Sequence, residues 1–120
     1  MPRSSLAYLA DVVDACGAIA SFLQGVDLAA YRATPLTRSA VERQLLIIGE
    51  AIGSLLRLDP ALSDRVSHAR RIVDFRNQLA HHYAAIDDAV VWDTATTEVP
   101  VLRRECQAIL AESEAEGEAD

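Results

Sequence analysis

Aromatic residues are scarce in this sequence, at 5% of its 120 residues, although the hydrophobic content reaches 51%. Leu, Ala, Val and Ile supply most of that content, and such a composition favours packed helices over a sheet. The length suits one domain with its own core, near the size at which pairing with a second copy is common. We therefore expect a single all-α domain that forms a homodimer.

Cysteine and metal-binding patterns are also rare. Cys16 and Cys106 are the only cysteines, there is no CxxC, and each lies in an apolar stripe. Small buried thiols in a reducing compartment are therefore expected rather than a disulfide. The adjacent His81 and His82 diverge by about 100° on a helix, and no Glu-x-x-His or His-x-x-x-His pair accompanies them. We expect neither a metal site nor a cofactor.

Basic residues are outnumbered, with 11 Lys and Arg against 18 Asp and Glu and a net charge of −7. Five of these acids lie in the last nine residues, so the body, residues 1–111, carries 13 acids against 11 basic residues, or −2. This balance argues against a broad basic surface that coats nucleic acid, and we expect no DNA partner. A local basic cleft is still compatible with it. Residues 112–120 read as an acidic, flexible tail to a domain spanning 1–111.

The amino-terminal stretch does not resemble a signal peptide, because Asp11 and Asp14 interrupt its amphipathic run. No apolar stretch is expected to approach membrane-spanning length. These patterns predict a soluble, cytoplasmic protein without a membrane partner.

The hydrophobic spacing predicts an up-and-down bundle of four main helices plus a short connecting helix. The first helix follows Ser4 or Ser5 and ends near Gly25, and Asp27 caps the connector. Its expected buried stripe is Leu6, Leu9, Val13, Cys16, Ala20 and Leu23. The last helix follows an Asp87 cap, and Pro100 should kink it.

The second main helix should run from Leu36 or Ser39 to Leu58, with Ser39 and Glu42 spaced as a capping box. Two adjacent stripes run along it: the first is Val41, Leu45, Ile48, Ile52 and Leu55, and the second is Glu42, Leu46, Gly49, Gly53 and Leu56. The helix is therefore apolar over a wide arc and must be covered on two sides. Gly49 and Gly53 indicate that another helix comes very close. Glu42 and Glu50 are candidate counter-charges for buried arginines, although a solvated role is the simpler interpretation of Glu50.

The third main helix, residues 67–82, carries an unusual arginine. At 3.6 residues per turn, Arg76 lies in one apolar stripe with Ile72, Phe75, Leu79 and Tyr83. Burying its charge requires a carboxylate, a symmetry mate or an anionic ligand. Asn77 and His81, four residues apart, form a polar pair on the flank.

The Arg76, His81 and Tyr83 pattern, with Asn77 after the arginine, resembles the R-x-x-x-x-H-x-Y signature of HEPN-domain toxins of the HepT type. Residues 41–51 and the Val-Val-Trp-Asp run at 90–93 also resemble family features, so the similarity covers most of the chain. It implies a HEPN-like fold and a metal-independent endoribonuclease that acts on RNA. In that role His81 moves a proton, Arg76 stabilises phosphoryl charge, and Asn77 orients His81 or donates to the phosphate.

The resemblance also implies a role for Tyr83. In this family the motif tyrosine accepts AMP from a partner nucleotidyltransferase that acts as the antitoxin. Without the resemblance, Tyr83 is a residue at the edge of the core, and Arg76 is more often structural than catalytic. On an ideal helix Tyr83 lies about 20° from Arg76, whereas His81 lies about 140° away. We therefore expect the helix to loosen after Ala80, or the pair to be completed across the dimer.

A second interpretation stays open at this point. The chain could be a non-catalytic dimeric partner of a minimal nucleotidyltransferase, with the motif serving only to dock the enzyme or its nucleotide. The acidic balance and the lack of stacking aromatics favour this alternative.

Overall fold

The computed structural model describes residues 3–82 and 86–119, and all regular secondary structure among them is helical. The elements, in chain order, are α1 (Ser5–Phe22), α2 (Leu28–Ala33), α3 (Pro35–Leu58), α4 (Pro60–Ser63), α5 (Ala69–His82), α6 (Asp88–Asp93), a π-helical turn (Thr94–Glu98) and α7 (Val99–Ala119). The predicted all-α fold with four main helices, α1, α3, α5 and α7, is confirmed. The short helix α4 was not anticipated, and the predicted last helix, which follows the Asp87 cap, is divided into α6, the π-helical turn and α7.

Side-chain caps begin several of these helices where the sequence predicts them. The Ser4 side chain accepts a hydrogen bond from the Ala7 amide, Asp27 accepts one from Ala30, and Asp87 accepts one from Ala89. The predicted Ser39 capping box is wrong, because α3 already begins at Pro35. Proline suits a first helical position, since its φ is preset and its missing N–H has no partner there anyway. The helix therefore begins one turn earlier than the box.

Helix α3 is the centre of the bundle. It packs against α1 on one side and α5 on the other, and α1 also packs against α7. Its first predicted stripe is buried in full, namely Val41, Leu45, Ile48, Ile52 and Leu55. Coverage on two sides explains why this helix is apolar over such a wide arc.

The buried face of α1 matches the predicted stripe at Leu9 and Cys16 and differs from it elsewhere. Leu6 and Ala20 are exposed and Val13 is half-buried, while the buried residues are Leu9, Val12, Ala15, Cys16 and Ile19. Because α1 has apolar residues on nearly every side, periodicity does not select one face. Contact with α3 and α7 together makes that selection.

By length and composition, α1 could also cross a membrane, since its 18 residues have a mean hydropathy of 1.4. The expectation that no stretch approaches that length is therefore wrong for Ser5–Phe22. A core helix in a bundle meets the same criterion, and α1 has five buried residues. The finding is weak support for a membrane segment.

The irregularity expected at Pro100 takes the form of a π-helical turn immediately before α7. Proline lacks an N–H and crowds the carbonyl of the preceding turn, and a wider turn relieves both problems. Beyond it, α7 buries Val99, Leu102, Cys106 and Ile109. The helix continues through Ala119, so the acidic end is helical as far as it is described, and its flexibility stays a prediction.

Both cysteines are free and buried, as the sequence predicts. Burial raises the pKa of the Cys16 and Cys106 thiols to about 12, with a smaller contribution from each one's neighbours. Neither thiol is therefore a nucleophile at neutral pH.

Candidate active site

Arg76 lies against Gly49 at the contact between α3 and α5. A Cβ atom built on Gly49 would be 2.1 Å from the Arg76 Cβ and 2.5 Å from its Cγ, which no structure tolerates. At Gly53 the corresponding distance to Val73 Cγ2 is 3.8 Å, an ordinary contact. The predicted close helix approach is thus confirmed, and Gly49 is the position that requires it.

The arginine side chain is half-buried and incompletely paired. Its Nη1 donates to the Asn77 Oδ1 over 3.2 Å, while Nε is buried without a hydrogen-bond partner among the described residues. No carboxylate of the described chain lies within 4.0 Å of the guanidinium, so neither Glu42 nor Glu50 supplies the expected counter-charge. The guanidinium retains donors for an external anion.

His81 is exposed on the last turn of α5. Because α5 remains helical through His82, the expected loosening after Ala80 is wrong at this position. An ideal helix places His81 about 140° from Arg76, which puts the two residues on different sides of α5. Asn77 bonds to Arg76 rather than to His81. Tyr83 lies outside the described residues.

A groove of about 340 Å³ separates α3 from α5 next to the motif. Ser39, Glu42, Arg43 and Leu46 line it from α3, and Leu79 and Ala80 line it from α5. The groove thus reaches the residue immediately before His81. Arg43 is exposed there and was not singled out from the sequence, since nothing in its spacing distinguishes it from a solvated arginine.

Glu42 is the half-buried carboxylate of this groove. Burial raises its pKa above the ordinary glutamate value, and the nearby Asp88 raises it further, whereas Arg38 lowers it. Arg38 is itself held by Asp88, with 3.8 Å between its Nε and the Asp88 carboxylate. Glu42 is therefore a partly desolvated carboxyl group with a raised pKa, and it is not the partner of Arg76.

Of the four arginines between residues 65 and 76, two pair with carboxylates of the π-helical turn and α7. Arg65 pairs with Glu112, and Arg71 Nη2 lies 3.1 Å from Glu98 Oε1. Glu105 also accepts hydrogen bonds from the Ser67 amide and hydroxyl, at 3.1 Å and 2.5 Å. Arg70 and Arg76 have no such partner among the described residues, and of the two only Arg76 is half-buried.

The described segments, 3–82 and 86–119, contain no group of three His, Cys, Asp or Glu side chains that could hold a metal ion. The site built from residues of this chain is consequently a guanidinium, an amide and an imidazole. Such a set can bind a phosphate and transfer a proton.

The sequence of this chain is similar to a known protein family. A model described as "Ribonuclease HepT-like" matches residues 12–109, which include the whole Arg76 to Tyr83 motif. The chain belongs to the HepT-like ribonuclease family. The resemblance inferred from the motif is therefore confirmed, and so is its HEPN-like character.

Individual relatives agree with the family over nearly the full length. "Probable ribonuclease HepT" of Thermococcus cleftensis is 31% identical over 107 residues, covering 86% of this chain and 93% of its own. "Putative RNase MJ1216" of Methanocaldococcus jannaschii is 26% identical over 121 residues, covering 98% of each chain. No solved structure matches the chain significantly. These similarities place this HepT-like chain among ribonucleases of the HEPN type.

Proposed function

We propose that this HepT-like chain is the toxin of a toxin–antitoxin system, an endoribonuclease that cleaves RNA without a metal ion. The observation that carries the proposal is Arg76, whose Cβ and Cγ pack against Gly49 and whose guanidinium has no carboxylate partner in the described part of the chain. A half-buried arginine without a counter-charge is costly unless an anion completes it. A phosphodiester is the anion that the family indicates.

In the proposed reaction the ribose 2′-hydroxyl attacks the adjacent phosphorus, and the bond to the 5′-oxygen of the next nucleotide breaks. Arg76 stabilises the charge that accumulates on the phosphoryl oxygens. His81 either takes the proton from the 2′-hydroxyl or gives one to the leaving oxygen. Asn77 positions the guanidinium through its Oδ1, and its amide NH₂ is available to the same phosphate.

The separation of Arg76 from His81 supports a site that is completed by a second chain. Arg76 is half-buried and His81 is exposed on a different side of α5, so one phosphate cannot easily contact both within one chain. A two-fold axis beside α5 would bring Arg76 of one protomer towards His81 of the other, and would double the local positive charge. The proposed active form is accordingly a symmetric homodimer. Its proposed location is the cytoplasm.

Control of the toxin rests on Tyr83, two residues after His81. A nucleotidyltransferase antitoxin would attach AMP to its hydroxyl, placing a bulky phosphate next to the motif. That phosphate would compete with RNA for the guanidinium of Arg76 by charge and by volume. The proposal for this residue depends on the family resemblance, since Tyr83 is not among the described residues.

Cleavage of a fluorescent RNA by the purified chain, in excess chelator, tests the enzymatic part. Wild type should cleave, whereas Arg76→Ala and His81→Ala should each lose at least roughly a hundredfold in rate. Arg57→Ala, an exposed arginine elsewhere on α3, serves as the control and should cleave normally. Cleavage that needs a divalent metal, or that survives both motif substitutions, would contradict the mechanism.

Incubation with the cognate nucleotidyltransferase and ATP tests the control step. Mass spectrometry should find AMP on the peptide containing Tyr83, and Tyr83→Phe should remain toxic but escape neutralisation. Two results together would contradict the proposal: full neutralisation of Tyr83→Phe without any modification, and no RNA cleavage by the wild-type chain. The chain would then be a non-catalytic binding partner of the nucleotidyltransferase.

A further inference from the structure

A second half-buried arginine with no carboxylate within 4.0 Å among the described residues, Arg103, lies at a cavity of about 540 Å³ between α1 and the segment from the π-helical turn into α7. We call it the α1/α7 cavity. Its lining residues are Cys16, Ala20, Leu23, Ala95, Thr96, Val99, Pro100, Arg103, Arg104 and Gln107. None of these belongs to α3 or α5, so the cavity is separate from the motif and from the groove beside it.

Arg103 is held at this cavity by a close contact with α1. Its side chain is half-buried, and a Cβ built on Gly17 would be 3.2 Å from its Nη2. The absence of a side chain at Gly17 therefore lets the guanidinium lie directly on the helix. Such an approach restricts the arginine to a few orientations.

The described residues leave the guanidinium of Arg103 incompletely hydrogen-bonded. Its Nε is buried with no hydrogen-bond partner among the described residues, and no described carboxylate lies within 4.0 Å. An orphaned buried donor on a charged group is expensive, and the cost falls if a ligand oxygen accepts from it. A water-filled site would not supply the missing charge.

We propose that the α1/α7 cavity binds a small phosphate monoester with an apolar body. Arg103 and Arg104 offer two guanidinium groups to a dianion, and Thr96 and Gln107 add neutral donors on the same wall. The opposite wall, with Ala20 and Leu23, is apolar and suits an uncharged body. The volume lies within the usual range for small-molecule sites.

Titration of the full chain with phenyl phosphate tests the site. The Nε–Hε resonance of Arg103 reports on it in wild type, and the backbone amide resonances of α1 beside the cavity report the affinity in every variant. Phenyl phosphate should shift this resonance saturably, whereas benzyl alcohol, which lacks the phosphate, should not. Arg103→Met should weaken binding roughly tenfold or more, because a charge-assisted contact is removed. Arg32→Met removes the same charge from an exposed position on α2 and should change the affinity by less than about twofold.

Gly17→Ala is an independent test of the site that keeps the arginine at position 103. The new methyl group would displace the guanidinium by a few tenths of an ångström, so affinity should fall while helix content is kept. RNA cleavage by Arg103→Met should equal that of wild type, which separates this site from the proposed ribonuclease activity. Unchanged binding in both variants overturns the site. Equal binding of phenylacetate, a monoanionic carboxylate, overturns its assignment to phosphate.

Discussion

Arg76 can occupy its position only because residue 49 is a glycine and has no Cβ atom. The Arg76 side chain occupies the volume where any other residue at position 49 would place its Cβ. The arginine of the family motif thus depends on a glycine in a different helix, 27 positions earlier in the sequence, which leaves room for its side chain. A glycine substitution should consequently affect both the packing and the chemistry.

We predict that Gly49→Ala lowers the free energy of unfolding by about 1–3 kcal/mol, since it overpacks the contact between α3 and α5. It should also reduce RNA cleavage, because Arg76 must move. Urea denaturation and the cleavage assay measure the two effects.

Gly53→Ala is the matched control for that substitution. Its methyl group would meet Val73 Cγ2 at 3.8 Å, so the gain in helix propensity, up to about 1 kcal/mol, should dominate. If both alanine variants are equally stable and active, Gly49 does not position Arg76.

Glu42 should make stability depend on pH. Its raised pKa in the folded state means that its contribution is fully present below the unfolded pKa, about 4.3, and is lost as pH rises through the folded pKa. We therefore predict that Glu42→Gln is more stable than wild type at pH 7, and that the difference shrinks towards pH 4. Denaturant titrations between pH 4 and pH 8 provide the comparison. An advantage that does not vary with pH would show that the charge of Glu42 is not its cause.

At the scale of elements, α5 is anchored at its amino-terminal side by α7. Glu105 accepts from both the amide and the hydroxyl of Ser67, in the segment just before α5 begins. Two further ion pairs lie on either side of it, from Arg65 to Glu112 in α7 and from Arg71 to Glu98 in the π-helical turn. This polar seam holds the start of the helix whose end carries the motif.

Glu105→Ala should cost about 1 kcal/mol of folding free energy and speed amide exchange at residues 67–72. Glu112→Ala, which removes only the exposed pair with Arg65, should cost roughly 0–0.5 kcal/mol. Hydrogen exchange by NMR distinguishes the two. Equal protection of the Ser67 amide in wild type and Glu105→Ala would mean that the seam does not anchor α5.

At the scale of the whole molecule, the proposed active site takes Arg76 from one protomer and His81 from the other. Mixing two inactive variants should therefore restore part of the activity. Chains with Arg76→Ala and chains with His81→Ala should each be inactive alone, but a mixed dimer retains one intact pair. After random exchange of subunits, roughly a quarter of wild-type cleavage should return, since about half of the dimers are mixed and each has one site of two. Light scattering should show dimers in all samples.

This mixing experiment separates two geometries. If the two residues act within one chain, every site in the mixture carries one substitution and activity stays absent. A monomeric chain at micromolar concentration would contradict the shared site for the same reason.

Local patterns in the sequence determined the helices, their caps and the arginine motif. Capping and hydrophobic periodicity act over a few residues, so Asp27, Asp87 and the α3 stripe could be predicted correctly. The family resemblance followed from motif spacing and was confirmed over residues 12–109. The capping box at Ser39 failed because Pro35, four positions earlier, already starts the helix.

Only the tertiary structure decided which faces meet. The buried side of α1 could not be predicted, since an all-round apolar helix is oriented by its neighbours. Likewise, the sequence suggested carboxylate partners for Arg76, yet the structure leaves its Nε without one in the described chain and sets Gly49 behind it. Packing between helices depends on which side chains come into contact in space, and the spacing of residues along the sequence does not determine those contacts.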